Sequence, residues 1–129
     1  MKKFILLFLL IPVFGIAQEG SKDKSKKLKG IATVYASRFN GLRTATGEVF
    51  KHSNMTAASN NFKINSWVKV TNLSNLKSVI VRINDRMHPR MAKMGRIVDL
   101  TQAAARLLGG IDGMANVRVE VLAGKPLVD

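Results

Sequence analysis

Six short apolar runs fill the middle of this chain, separated by polar and glycine-bearing stretches, and no cysteine is present to staple them together. The run at 78–85 is the clearest: Val79, Val81 and Ile83 alternate with Ser78, Ile80, Arg82 and Asn84, the two-residue period of a half-buried strand. Val117, Val119 and Val121 alternate in the same way with Arg118 and Glu120. The pattern predicts strands at 31–36, 55–58, 67–71, 78–84, 97–100 and 117–122. One short α-helix is expected over about 101–108, capped by Thr101 or Asp99, built on Ala103, Ala104 and Ala105, and ended by Gly109. An open sheet of six such strands would leave two unpaired edges, so an all-β, six-stranded closed barrel with one short α-helix is the expected fold. Residues 30–122 form one domain, roughly enough chain for one core and too little for two.

The flanks read differently. Lys2 and Lys3 precede an apolar stretch at 4–16, and Gly15-Ile16-Ala17 supplies small residues at the spacing of a signal-peptidase site, so 1–17 is expected to be a signal peptide. The stretch falls short of the roughly 20 residues of a membrane-spanning helix, and no second one follows, so no transmembrane segment is expected in the mature protein. Export to the periplasm or medium is expected, without the cysteine that would make the protein a lipoprotein. Residues 18–29 include SKDKSKKLK and read as a basic flexible linker, and 123–129 as a C-terminal tail with no signal.

Charge narrows the partners. Without Lys2 and Lys3 the 21 basic residues become 19 against eight acidic ones, a net charge of +11 with histidine neutral. An anionic partner or surface is implied. The export signal and the lack of aromatics interleaved with the basic residues argue against nucleic acid, leaving anionic envelope polymers and membrane surfaces. The two histidines lie 36 positions apart and no glycine-rich phosphate loop is present, so no metal and no cofactor is expected. A monomer is expected.

In so basic a chain the few acids stand out. Asp85 follows the alternating run and should share the face of Val79, Val81 and Ile83, where a strand runs out into a cleft. A carboxyl group continuing an apolar face is partly desolvated, and desolvation favours the protonated form that a general acid needs. The same residues also fit a plain turn, Asn84-Asp85-Arg86, with Asp85 paired to Arg86 or Arg82. Glu48 follows Gly47 in a segment where Gly41 and Gly47 permit tight turns and Thr44 and Thr46 supply hydroxyls; it reads either as a second site carboxylate or as an exposed turn. Asp99 is expected to cap the helix or pair with a barrel arginine. Trp67 is expected in the core or at the barrel rim, and Met87, Met91 and Met94 in packing.

The run GIATVYASRFNGLRTATGEVFKHSNMTAAS, then WVKVTNLSNLKSVIVRINDR, then GRIVDLTQAAARLLG and a closing VRVEVL together resemble the rare lipoprotein A (RlpA) family of septal lytic transglycosylases, over 30–122. The resemblance implies a double-psi β-barrel. It also implies an endolytic peptidoglycan transglycosylase, a lyase that cuts between N-acetylmuramic acid and N-acetylglucosamine without water and leaves a 1,6-anhydro ring on stem-peptide-free strands. The alternative on the same barrel is an expansin-like module that grips glycan without breaking it. Asp85 and Glu48 match the family's acidic positions, with Asp85 the candidate acid/base. Ser59, Tyr35, Thr44 and Arg86 are the candidate substrate-binding residues.

Two departures accompany the resemblance. Family members commonly have histidine after Thr-Ala-Ala, where this chain has Ser59, and serine cannot carry a positive charge near pH 7. His52 and His88 are the candidates to replace it in space, and either also reads as a loop histidine. Where relatives have Gly-Pro after the arginine, this chain has Met87-His88-Pro89 and a basic loop over 90–96, expected to border the groove.

Overall fold

The computed structural model describes residues 26–126, so the expected signal peptide and most of the linker lie outside the described residues. In chain order the elements are β1 (Lys27–Val34), β2 (Thr56–Ala58), β3 (Trp67–Asn72), β4 (Ser78–Asp85), α1 (Pro89–Lys93), β5 (Arg96–Leu100), α2 (Gln102–Leu107) and β6 (Met114–Val121). A single 3-10 turn at Ser37–Phe39 follows β1. The strands close into a barrel in the order β1-β5-β2-β4-β3-β6, with β6 pairing back onto β1. β1 runs parallel to β5 and β2 parallel to β4, and the other four pairings are antiparallel. β1 and β2, like β4 and β5, are consecutive in the chain but not neighbours in the barrel, so the connections at 35–55 and 86–95 cross over to reach the next strand, and they build the site.

The alternating pattern lands as expected. Val79, Val81 and Ile83 of β4 face inward against Val68 and Val70 of β3 and Val117 and Val119 of β6, while Ser78 and Ile80 face solvent. Fully burying a side chain of this size contributes about 1.5–3 kcal/mol, so this one layer outweighs the polar contacts described below. Gly30 is fixed by close approach: a Cβ there would lie 2.7 Å from a side-chain methyl of Ile97 on β5.

Three features depart from the sequence reading. β1 begins at Lys27, inside the stretch read as linker, because Lys27, Leu28 and Lys29 pair with Glu120, Val119 and Arg118 and so close the barrel. Leu28 alone faces the core, too weak an apolar signal to read as a strand. The basic loop contains a second helix, α1: Pro89 sits in its first turn and His88 caps it, Nδ1 accepting from the Arg90 N–H at 3.1 Å. Five residues are too few to show a helical period. Finally, the β2–β4 ladder slips at its end. Ala57 pairs with Ile83 but Ala58 with Asp85, leaving Asn84 as an extra residue on β4. This bulge buries Asn84 directly after Ile83 and turns Asp85 out to the rim.

Candidate active site

Asp85 is held by three donors. The Tyr35 hydroxyl donates to Oδ2 at 2.8 Å, and the backbone N–H groups of Ala45 and Arg86 donate to Oδ1, each at 2.9 Å. Its carbonyl accepts from the Ser59 N–H at 3.0 Å, tying the end of β4 to the residue after β2. Tyr35 is fixed in turn by its ring, 4.2 Å from Phe50 between centroids and edge-on to Phe39 at 5.7 Å. Burial, followed by the hydrogen bond to Asp85, pushes the Tyr35 hydroxyl well above its usual range, so it stays a donor. The turn pairing is overturned: neither arginine bridges to Asp85. Arg86 donates to the carbonyls of Ser59 and Phe62 at 2.6 and 2.5 Å, and Arg82 turns to Glu48.

Glu48 is locked elsewhere. Arg82 grips it with both guanidinium nitrogens, Nη1 to Oε1 at 2.9 Å and Nη2 to Oε2 at 2.5 Å, and Thr46 Oγ1 donates to Oε1 at 2.6 Å. These bonds, Arg82 foremost, lower its pKa to about 2. Thr44 supports the same chain, its hydroxyl 2.9 Å from that of Thr46 and its N–H donating to the Glu48 carbonyl. Gly47, at φ +86°, permits the tight turn that brings Thr44, Thr46 and Glu48 together.

The expected substrate-binding set divides. Tyr35 and Arg86 line the cleft that Asp85 faces, whereas Thr44 and Ser59 do not. Thr44 is buried in the turn. Ser59 is fully buried, its hydroxyl accepting from the Asn61 N–H at 3.1 Å, so it braces the strand end and presents nothing to a substrate. His88 lines the cleft, while His52 lies at a separate groove, Nδ1 accepting from the N–H of Gln102, the first residue of α2, at 3.1 Å. Met87 and Met91 pack with Tyr35, as expected of them, whereas Met94, expected to pack as well, is exposed at the end of α1.

The cleft has a volume of about 450 Å³, and Thr33, Arg96 and Asp99 join its lining. A larger groove of about 580 Å³ is lined by Lys51, His52 and Arg106 and has no carboxylate. Asp99 was read as a cap or an ion-pair partner; the α2 cap is Thr101, which accepts from the Ala104 N–H at 3.2 Å. Asp99 instead accepts at Oδ1 from the Thr33 hydroxyl at 3.1 Å. Burial pushes its carboxyl up to about 6, against the pull of Thr33 and Arg96 and with Asp85 adding to the rise. The sequence offered no signal for this, because the pairing of β5 with β2 that sets Asp99 at the cleft is not written in the apolar pattern around it.

A small closed barrel with two crossing connections and two aspartates at one mouth defines a double-psi β-barrel with a cleft that holds a pair of carboxylates among basic side chains. By the family model that matches residues 28–120, the chain belongs to the lytic transglycolase family. It is similar to the endolytic peptidoglycan transglycosylase RlpA of Pasteurella multocida, 49% identical over 94 residues that cover 72% of this chain and 31% of that protein. The RlpA of Haemophilus influenzae is 43% identical over 106 residues, covering 81% of this chain and 36% of that protein. The chain thus spans about a third of the length of these relatives. Among solved structures, an expansin of Clavibacter michiganensis superposes with a TM-score of 0.60 at 19% identity, over 78% of this chain and 52% of its own. A Streptomyces papain inhibitor gives 0.58 at 21%, over 75% and 94%. At these identities the likeness is one of fold alone.

Proposed function

We propose that this domain is an exported peptidoglycan lytic transglycosylase acting on glycan strands that lack stem peptides. The observation that carries the reading is Asp85, set by the β4 bulge at the mouth of a cleft and held there by Tyr35 and two backbone donors. Relatives named endolytic peptidoglycan transglycosylase support it. In such a reaction the muramic C6 hydroxyl attacks C1 as the glycosidic bond breaks. The cleft must therefore protonate a leaving oxygen and accept a proton from C6–OH, with no site for an attacking water. Of the two acids that the resemblance points to, Asp85 lines this cleft and Glu48 does not. Glu48, spent on Arg82 and Thr46, acts by shaping the 44–48 turn whose Ala45 N–H reaches Asp85. Arg38, Arg86, His88 and Arg96 line the cleft and favour a glycan carrying carboxylates, with anionic envelope polymers as further partners.

The absence of a histidine at position 59 favours a second reading, a barrel that binds glycan without cutting it. Mass spectrometry of soluble products decides between them. Protein from Gln18 onward is incubated with peptidoglycan carrying or lacking stem peptides, beside Asp85→Asn. Anhydro-ended fragments that vanish in the variant support the transglycosylase. Products heavier by one water identify a hydrolase. No fragments, with sedimentation alongside the glycan intact, identify a binding module.

A further inference from the structure

The ladder places two aspartates symmetrically about one small residue. Ala58 of β2 pairs with Asp85 of β4 on one side and with Asp99 of β5 on the other, and Thr33 of β1 pairs with Asp99 beyond. Paired residues on neighbouring strands point to the same face, so Asp85, Ala58, Asp99 and Thr33 form a row across four strands at the cleft mouth. Two strand spacings put the backbones of the two aspartates about 10 Å apart, with Ala58 on the strand between them.

Their surroundings differ in kind. On Asp85 both lone pairs of Oδ1 are taken by N–H groups and one of Oδ2 by Tyr35, so a single acceptor position on Oδ2 stays open. This is the acceptor set of a carboxylate anion. Asp99 has one donor, Thr33 on Oδ1, and among the described residues nothing bonds its Oδ2.

On the transglycosylase reading, we propose that Asp99 is the general acid of this cleft and that Asp85 works as its ionised partner. Asp99 Oδ2–H gives its proton to the glycosidic oxygen as the C1–O bond breaks, so the leaving sugar departs as an alcohol. The muramic C6 oxygen forms the new bond to C1, and its proton passes to the open position on Asp85 Oδ2. No water is consumed. Asp99 ends ionised and Asp85 protonated, and exchange with solvent restores both. Between the two steps the Asp85 charge faces the oxocarbenium-like carbon. Two neighbouring carboxyl groups in unlike surroundings, one ringed by donors and one buried with a single donor, can divide the acid and base roles on one substrate.

The charged groups around Asp99 oppose one another: Arg96 and His52 favour its ionised form, burial and Asp85 its protonated form, and Thr33 stabilises the anion. Its carboxyl, at about 6, therefore keeps a protonated fraction of about one-tenth at pH 7, where an ordinary aspartate keeps almost none.

The test compares two substrates in the full chain: peptidoglycan glycan, whose leaving alcohol needs a proton, and a dinitrophenyl glycoside of the same muramic disaccharide, whose leaving group does not. Asp99→Asn is expected to lose about 10²–10⁴-fold in kcat on the glycan and to retain most of its rate on the aryl glycoside. Asp85→Asn is expected to fail on both. Equal losses for Asp99→Asn on the two substrates, or no loss on either, overturn the assignment. Thr33→Val serves as an independent arm if Asp99→Asn does not fold. Removing the bond that stabilises the Asp99 anion should move the alkaline limb of the glycan kcat profile to higher pH, and a limb that stays in place overturns the proposal. A wild-type protein that cuts neither substrate instead removes the transglycosylase reading itself.

Discussion

Replacing Tyr35 by phenylalanine removes one oxygen and little else. The ring keeps its place between Phe50 and Phe39, 4.2 and 5.7 Å away, so packing is preserved. What is lost is the 2.8 Å hydrogen bond to Asp85 Oδ2, one of the three that orient that carboxylate. A hydrogen bond to a charged group is worth about 1.5–3 kcal/mol, and because Asp85 is only half-buried, water replaces part of it, which selects the lower end. About 1.4 kcal/mol corresponds to a tenfold change in rate, so kcat on stem-peptide-free glycan should fall about tenfold. KM should stay within about twofold, because the hydroxyl is occupied by Asp85 and not by substrate. Release of anhydro-ended fragments, followed against glycan concentration by mass spectrometry, measures both constants. Unchanged kcat would refute the role given to Tyr35 as a positioning residue, and a rise in KM alone would make it a substrate contact instead.

The Glu48–Arg82 pair should show itself in acid. The folded pKa of Glu48, about 2, lies below its ordinary 4.5, so its stabilisation is present above pH 4.5 and lost as pH falls through 2. The pair is partly solvent-exposed and screened, so Glu48→Gln should cost about 1 kcal/mol at pH 6 and nothing near pH 2, by urea denaturation. A cost that persists at pH 2 would assign it to lost packing. Asp99 has the opposite sign. Its folded pKa, about 6, lies above the ordinary 3.8, so the wild-type protein loses stability as pH rises from 3.8 through 6. Asp99→Asn should therefore melt higher than wild type above pH 6, by an amount on the order of 1 kcal/mol, and equal it below pH 4. A variant less stable at every pH would contradict burial as the cause. Arg90→Gln with Lys93→Gln on α1 should weaken sedimentation with anionic glycan and flatten its salt dependence; identical salt curves would remove the basic helix from binding.

The strands were legible because each announces itself locally. Val79, Val81 and Ile83, or Val117 and Val119, carry a period that only a half-buried strand satisfies, and a cysteine-free chain with six of them is driven to close its edges. Asp85 was legible for the same reason, as the residue where that period runs out. Thr101 was legible as a cap because capping is decided within three residues. The ends of β1 and the helix α1 were not, since one apolar residue among lysines and one turn of helix fall below any period.

The site called for more than pattern. Which acid Arg82 takes depends on the 44–48 turn folding back across 34 residues, and which hydroxyls stay free depends on Thr44 and Ser59 being covered by elements distant in sequence. Sequence alone set the closed all-β barrel, the excess of positive charge and the position of Asp85 at a strand end. Only the tertiary structure decided that Ala58 should lie between Asp85 and Asp99. Strand order around a barrel is a long-range choice, fixed by which edges pair, and it alone carries a buried aspartate from an ordinary apolar strand to the mouth of the cleft.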